Sequence, residues 1–506
     1  MCGIVAVASR NGSVDVDEML DHLAHRGRDM RSTTSAKDED NYPGITVQMG
    51  HNRLSINDTS RAGIQPMKYG ELTLVVNGEI WNYPQLRKEY EGRGYEFQSN
   101  SDSEIVLYLY KEDELKRLDG AFSFVIHDGK KLIVSRDWVG KIPLYISVDD
   151  DIIVASETKA FPTTALKSLY VVPRNSLIEI DVTNHEIIVD DDYYFQFNET
   201  PTKATSHKEV GEKTYELLDN AVRKRLISDV PIATINSGGI DSSIITYLLS
   251  RYIKDIKSYT INFDEESEDL KMARVMSEKT GIELVEVKVP KDPDIIKERF
   301  LQTIRAIEYP LTVQVEVGIM CSFMAEQIAA DGHKVVFSGE GSDEAYGSYG
   351  MLRMFRNKPD WSDVRKKLFN KQYYGNLLRG NNIFMNYGTV EIRTPFFDTD
   401  FLNYTLNLPS EYTSEGSAWK LPLANAFRGK LPDEIIDQPK RAFQKGTNFK
   451  EYIEDVIVLD EEINFNGRNN ILSVIQDNYE KIFGIRHTFF RKKLKSTPPV
   501  GIYQWI

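Results

Sequence analysis

Ile232-Ala233-Thr234-Ile235-Asn236-Ser237-Gly238-Gly239-Ile240-Asp241-Ser242-Ser243 decides the fold of the second half of this chain. The run 232–236 predicts a short strand, two glycines predict a turn, and an apolar pattern at helical spacing starts at once behind them. Glycines at that junction let backbone approach a phosphate closely, the helix start offers amides and a positive dipole end, and Ser237, Ser242 and Ser243 add hydroxyl donors. The plainer alternative is a serine-capped helix after a glycine turn. Asp241 weighs between them. A carboxylate inside a phosphate cradle makes sense where a divalent cation bridges it to the phosphates, and Mg²⁺ is commonly held by one or two carboxylates plus substrate oxygens.

Outward from this stretch the chain alternates helix and strand: helix 209–227, strand 232–236, helix 242–253, strand 257–263, helix 269–280, strand 283–289. Such alternation predicts a parallel sheet covered by helices, with ligands beyond the carboxyl ends of its strands. A second strand, 334–337, runs into Ser338-Gly339-Glu340-Gly341-Ser342-Asp343-Glu344, again small residues with acids, and Asp343 is placed to hold the same cation as Asp241. Neither loop carries the Gly-Lys-Ser/Thr of a P-loop or the spacing of a dinucleotide fingerprint. From about residue 351 the pattern reads as helical. Cys321 lies in an apolar helical pattern and reads as core.

Before residue 195 the pattern is different. Short β-like runs at 44–49, 72–76, 122–127 and 131–135, with helical spacing at 15–25 and 103–109, predict a β-rich domain over 1–195. The polar stretch 196–208 (QFNETPTKATSHK) reads as a linker, leaving 209–506 for the second domain. At 506 residues the chain is too long for one core. Its 62 basic and 76 acidic residues give a formal charge of −14, which argues against nucleic acid or an anionic membrane as the main partner. No apolar run approaches the ~20 residues of a membrane span and the start lacks a signal-peptide pattern, so a cytoplasmic protein is expected. Cys2 and Cys321 are the only cysteines, and no zinc-ligand spacing occurs. Cys2 stands directly behind Met1. Removal of Met1 would give that residue a thiol and a free α-amine that titrates near ~7.7–8.0, which makes a nucleophile with its own base.

SGGIDSS at 237–243 and SGEGSDE at 338–344, with Met1-Cys2-Gly3 at the start, resemble the glutamine-dependent asparagine synthetase family. The resemblance covers most of the chain: HRGRD at 25–29, HNRLSIND at 51–58, NGEIWNY at 77–83, NSDSE at 100–104, RDWVGKIPLY at 136–145, ASETKAF at 155–161 and EIRTPFFD at 391–398. It implies an α/β multidomain protein, in which an N-terminal nucleophile hydrolase αββα sandwich (a class II glutaminase) precedes a parallel-sheet ATP-pyrophosphatase domain with a helical C-terminal part. It further implies that Cys2 attacks the glutamine amide, that Asn77 and the amide of Gly78 receive the oxyanion, that Arg53 grips the glutamine carboxylate, and that Asp102 and Glu79 meet its ammonium. In the second domain it places ATP against Ile235, Ile261, Ser338 and Gly339, the phosphates against Ser237, Gly239, Ser242 and Ser243, and Mg²⁺ on Asp241 and Asp343. Glu340 matches a glutamate tied to acyl-adenylate formation and ammonia capture, and Lys440, in PKRAFQKG, a lysine that stabilises charge during adenylation. The implied substrates are glutamine, ATP and aspartate, and members are often dimeric. Ammonia must reach the acyl-adenylate unprotonated, so a shielded passage between the domains is expected.

The chain departs from the family pattern at Arg28 for proline, Trp81 for tyrosine and Asn236 for an apolar residue. Asn236 is expected to set a polar group beside the nucleotide. A larger departure is Tyr309-Pro310-Leu311-Thr312-Val313-Gln314-Val315-Glu316. Asparagine synthetases usually read like TTIRAS there, and an arginine in that place would meet a substrate carboxylate. An acceptor other than aspartate therefore stands as an alternative, beside ring closure without ammonia and a binding module that has lost catalysis.

Overall fold

The computed structural model describes residues 1–10, 12–197, 202–349, 361–369, 374–415, 418–439 and 446–484. It divides into one unit built on Met1–Gln196 and a second built on the described residues from Phe197 onward.

In the first unit, strands β1 (Gly3–Arg10), β2 (Met30–Lys37), β3 (Ile45–Arg53), β8 (Tyr145–Val148), β9 (Ile152–Ala155) and β10 (Leu169–Val171) form a six-stranded sheet in the order β10-β8-β9-β1-β3-β2. The other sheet takes β4 (Met67–Tyr69), β5 (Leu72–Ile80), β6 (Gly120–His127), β7 (Lys131–Arg136), β11 (Ser176–Asp181) and β12 (Ile187–Asp190) in the order β12-β11-β7-β6-β5-β4. Alternation of side chains along a strand sends Ile4, Ala6 and Ala8 of β1 to one face, where they meet Val75, Val125, Val134 and Ile178 of the other sheet. The opposite faces are covered by helices. Helix α1 (Val16–His22) lies so close to β3 that a Cβ on Gly50 would sit 2.6 Å from Leu20 Cδ1. Helices α2 (Tyr83–Gly92) and α3 (Ile105–Lys111) pack Leu86, Tyr90 and Ile105–Leu109 onto Leu74, Val76 and Phe124. The result is the four-layer α-β-β-α sandwich expected from the resemblance.

The second unit opens with helix α4 (His207–Lys224) and carries the parallel sheet β15-β14-β13-β16-β17. Its strands are β13 (Ile232–Ile235), β14 (Lys257–Asn262), β15 (Glu283–Lys288), β16 (Val335–Phe337) and β17 (Glu391–Arg393). Between them run α5 (Ile240–Ser250), α6 (Glu268–Thr280), α7 (Pro293–Ile307), α8 (Thr312–Ala330), α9 (Ser342–Tyr346), α10 (Trp361–Phe369) and α11 (Tyr374–Gly388). Strands β14 and β15 extend the sheet to one side of β13, and β16 and β17 extend it to the other. The direction of winding therefore reverses between β13 and β16, where a doubly wound sheet opens its ligand crevice. Helix α8 is buried from Gln314 to Met320, as an apolar helix without a polar face must be, and Gly318 lets α7 approach within van der Waals contact. Strand β17 departs from the helical reading of the stretch after 351. Its Glu391 and Arg393 are buried and paired with one another at 2.8 Å, so two charged letters conceal the edge strand that pairs with β16. No helix among the described residues is long and apolar enough to cross a membrane.

Candidate active site

Two constellations of polar residues lie where the fold leaves backbone and carboxylates in close quarters. In the first unit β5 supplies Asn77, Gly78 and Glu79 in succession. Period-2 alternation turns Asn77 and Glu79 to the face that carries Val75, toward the other sheet and Cys2. The backbone N–H of Cys2 donates to Asn77 Oδ1 at 2.7 Å. Asn77 is fully buried, and its Nδ2 has no hydrogen-bond partner among the described residues. A buried amide donor without an acceptor costs about 1–3 kcal/mol, and a donor on the side chain that holds the Cys2 nitrogen suits charge that develops on a group bound at Cys2. Gly78 has φ +130°, and a Cβ on it would lie 2.0 Å from the Ala121 carbonyl oxygen, so no other residue fits.

Arg53, at the end of β3, is buried and donates to the carbonyls of Asn57 (3.2 Å), Asp58 and Ser60 (2.7 Å). Asn57 in turn donates from Nδ2 to Glu79, and the Ile80 amide donates to Asp102 at 2.7 Å. Arg53 and Glu79 are thus joined through Asn57, and Asp102 is tied to β5 one residue beyond Glu79. Two residues whose roles the sequence did not disclose hold Cys2 from behind. Arg26, fully buried, donates from Nε to the Cys2 carbonyl at 2.9 Å and pairs with fully buried Glu157. Burial alone would raise the Glu157 pKa, but His25, Lys159 and Arg26 around it hold the carboxyl well below the usual range.

At the crevice of the second unit, Ile235 ends β13, Ile261 lies near the end of β14, and Ser338 and Gly339 follow β16. Gly239 is the N-cap of α5 with no side chain capping it, which disposes of the serine-capped alternative. Ser242 accepts instead from the Ser237 amide at 3.0 Å and returns a hydrogen bond to the Gly239 carbonyl at 3.1 Å, which shapes the turn. Ser243 is fully buried. A Cβ on Gly339 would lie 2.6 Å from the Ser242 nitrogen, so the two loops touch through backbone. Asn236 turns away from this space: it accepts from the Gly238 amide at 3.1 Å and donates to the Ala273 carbonyl at 3.3 Å. The expected polar group beside a nucleotide is a brace inside the loop.

Across the crevice mouth lies a cation. Lys420 Nζ is 2.6 Å from Asp241 Oδ2 and 2.6 Å from Asp343 Oδ1. Burial works against its charge, yet the two carboxylates hold the Lys420 pKa above the ordinary lysine value. Asp241 Oδ1 is buried without a hydrogen-bond partner among the described residues. Two convergent carboxylates with a spare oxygen fit a divalent cation that completes its shell from phosphate oxygens. Among the described residues no group of three or more acidic, histidine or cysteine side chains forms a closed metal cage. Glu340 points elsewhere, to Arg379 Nη2 at 2.9 Å.

A model of the glutamine amidotransferase domain matches residues 1–194, and one of asparagine synthase matches residues 213–373 and 353–476. A probable glutamine-hydrolysing asparagine synthetase of Acanthamoeba polyphaga mimivirus is 32% identical over 489 residues, covering 89% of this chain and 86% of the relative. This chain belongs to the glutamine-hydrolysing asparagine synthetase family. A putative member from Methanocaldococcus jannaschii is 31% identical over 453 residues, with 81% of each chain covered, and asparagine synthetase B of Escherichia coli K12 is 30% identical over 480 residues, with 88% and 80% covered.

Within that family frame Lys440 lies outside the described residues. The segment leading to it is placed, because Gln438 donates to the Gly238 carbonyl at 2.8 Å. Lys420 and Arg379 escaped the sequence reading, each being one basic residue in an unremarkable helical or loop context. Lys420 carried one local signal, its position directly before the Leu421–Phe427 helix with Pro422 at the second place, but nothing in sequence links it to Asp241 or Asp343.

Proposed function

We propose that the chain makes asparagine from aspartate, taking nitrogen from glutamine and activation from ATP, with glutamate, AMP and pyrophosphate as the other products. The observation that carries this reading is the buried Asn77 amide, whose oxygen accepts from the Cys2 nitrogen while its Nδ2–H has no partner among the described residues. Loss of Met1 turns that same nitrogen into an α-amine able to take the thiol proton. Cys2 then attacks the glutamine amide, Asn77 Nδ2 and the Gly78 amide receive the oxyanion, and Arg53 with Glu79 and Asp102 hold the amino-acid end.

In the second unit Ile235, Ile261, Ser338 and Gly339 offer backbone to the nucleotide, and Ser237, Gly239, Ser242 and Ser243 cradle its phosphates. Asp241 and Asp343 are the residues that would hold Mg²⁺, which screens phosphate charge as the carboxylate approaches the α-phosphorus. An ammonium and a divalent cation repel at contact distance, so Lys420 must release at least one of its two carboxylates when the metal is bound. Attack by the acceptor carboxylate on the α-phosphorus expels pyrophosphate. Ammonia then attacks the acyl carbon, AMP leaves, and Glu340 takes the proton. Cys2→Ala tests the division of labour: it should abolish glutamine-dependent synthesis and preserve synthesis from added ammonia. Loss of both, in a variant that melts like the parent, would contradict it.

A further inference from the structure

Gln314 stands in the segment where an arginine would be expected to meet the acceptor, and in the structure it is itself in contact with an arginine. Arg379 reaches from α11 with Nη1 2.8 Å from Gln314 Oε1 and Nη2 2.9 Å from Glu340 Oε1. Its side chain is 12% exposed. Glu340 Oε2, the other oxygen of that carboxylate, is buried with no hydrogen-bond partner among the described residues. A Cβ on Gly380 would sit 2.7 Å from it, so α11 is stripped of a side chain where Glu340 approaches. On the far side, Gln314 Nε2 donates to Asn376 Oδ1 at 2.8 Å, and Asn376 Nδ2 donates to Glu344 Oε1 at 2.7 Å. Tyr349 also donates to Glu344, at 2.5 Å. Glu344 is buried between these two donors. Glu316, two residues on and on another face of α8, has neither carboxylate oxygen hydrogen-bonded among the described residues.

The row Arg379, Gln314, Asn376, Glu344 thus runs from a mostly covered guanidinium to a buried carboxyl through two amides, beside the glutamate assigned to adenylation. A dicarboxylic amino acid presents the complementary row, a non-reacting carboxylate and an ammonium on one carbon with the reacting carboxylate beyond. We infer that Arg379 is the specificity residue for the acceptor, gripping its non-reacting carboxylate with Glu344 opposite the ammonium, so that a relocated arginine restores what the 309–316 segment lacks. This rests on the proposed acceptor reading. Guanidinium forks suit carboxylates, and two charge-assisted hydrogen bonds are enough to set a KM.

The test uses the full chain with ATP, Mg²⁺ and added ammonia, and follows AMP with aspartate and with 3-aminopropanoate, which keeps the reacting carboxylate and the amine but lacks the other carboxylate. Arg379→Ala should raise the KM for aspartate about a hundredfold and leave 3-aminopropanoate nearly unchanged. The exchange Arg379→Gln with Gln314→Arg should recover at least tenfold of the loss, which a merely structural arginine would not. Equal losses on both acceptors, an unchanged KM for aspartate, or no recovery in the exchange would overturn the assignment. Should Arg379→Ala fail to fold, Arg379→Lys keeps the charge beside Glu340 and should still cost about tenfold in KM for aspartate alone. If the parent makes AMP with another acid and not with aspartate, the acceptor reading has failed by itself. The same variants on that acid then decide Arg379, an unchanged KM counting against it. If no acid supports AMP formation, both fall.

Discussion

Replacing Lys420 by methionine keeps the length of the side chain and removes its charge, which isolates what the ammonium does between Asp241 and Asp343. Removing one partner of a fully buried ion pair costs about 3–5 kcal/mol. Here the lysine is 3% exposed but the aspartates are 22% and 26% exposed. Water therefore relieves part of their repulsion, and roughly 2–3 kcal/mol is expected. At about 2–4 °C per kcal/mol for a domain of this size, the unfolding transition of the second unit should fall by roughly 5–10 °C in metal-free buffer. The same change releases both carboxylates from the ammonium. Millimolar Mg²⁺ without nucleotide should then raise the melting temperature of the variant by several degrees through binding to the folded state, and raise that of the parent much less, because there the ammonium must first give way. Calorimetry in matched ionic strength, with NaCl as the control, reads both effects. A variant that melts like the parent without metal, or that gains no more from Mg²⁺ than the parent does, refutes the view that Lys420 occupies a cation site.

Other consequences are as direct. Asn77→Ala removes both the anchor of the Cys2 nitrogen and the unpaired donor, and glutaminase kcat should fall by about 10²–10³ with a smaller change in KM; a loss below tenfold would exclude it as an oxyanion donor. Glu157→Gln strips the charge that neutralises buried Arg26 and should cost about 3–5 kcal/mol in the first unit, read by chemical denaturation at pH 7. Because the folded Glu157 pKa is depressed, its contribution is present above the unfolded value near ~4.3 and is lost as pH falls through the folded value, so the gap between parent and variant should close in acid. His51 behaves in the opposite chemical sense with the same direction in pH. Burial, then the charge of Arg53, push its pKa down to about 3, so between pH 6.5 and 3 the unfolded chain binds a proton that the folded one refuses. Stability should drop by ~5 kcal/mol across that window, and His51→Asn should remove this slope.

What could be read from the letters was local. Strand, glycine turn and helix over 232–253 lie next to one another in sequence, so the crevice loop, its partner at 338–344 and the carboxylates Asp241 and Asp343 were all legible. Asn77 and Arg53 were named only through the resemblance of their motifs, and the structure brings Asn77 onto the Cys2 nitrogen. The missing parts are long-range. Lys420 meets Asp241 across 179 positions, and Arg379 meets Gln314 across 65, with no periodicity to announce either. Strand β17 hid because its charges are satisfied internally. Asn236 was misjudged because a polar letter next to a binding loop can serve the loop itself.

The central claim is that one polypeptide releases nitrogen from glutamine at Cys2 and spends it on a carboxylate activated as an adenylate. Glutamine labelled with ¹⁵N in the side-chain amide, supplied with aspartate and ATP, tests it in one measurement. The account predicts labelled asparagine accompanied by equal amounts of AMP and pyrophosphate. Formation of ADP and phosphate, or of AMP with the label remaining in free ammonia and none in asparagine, would contradict it.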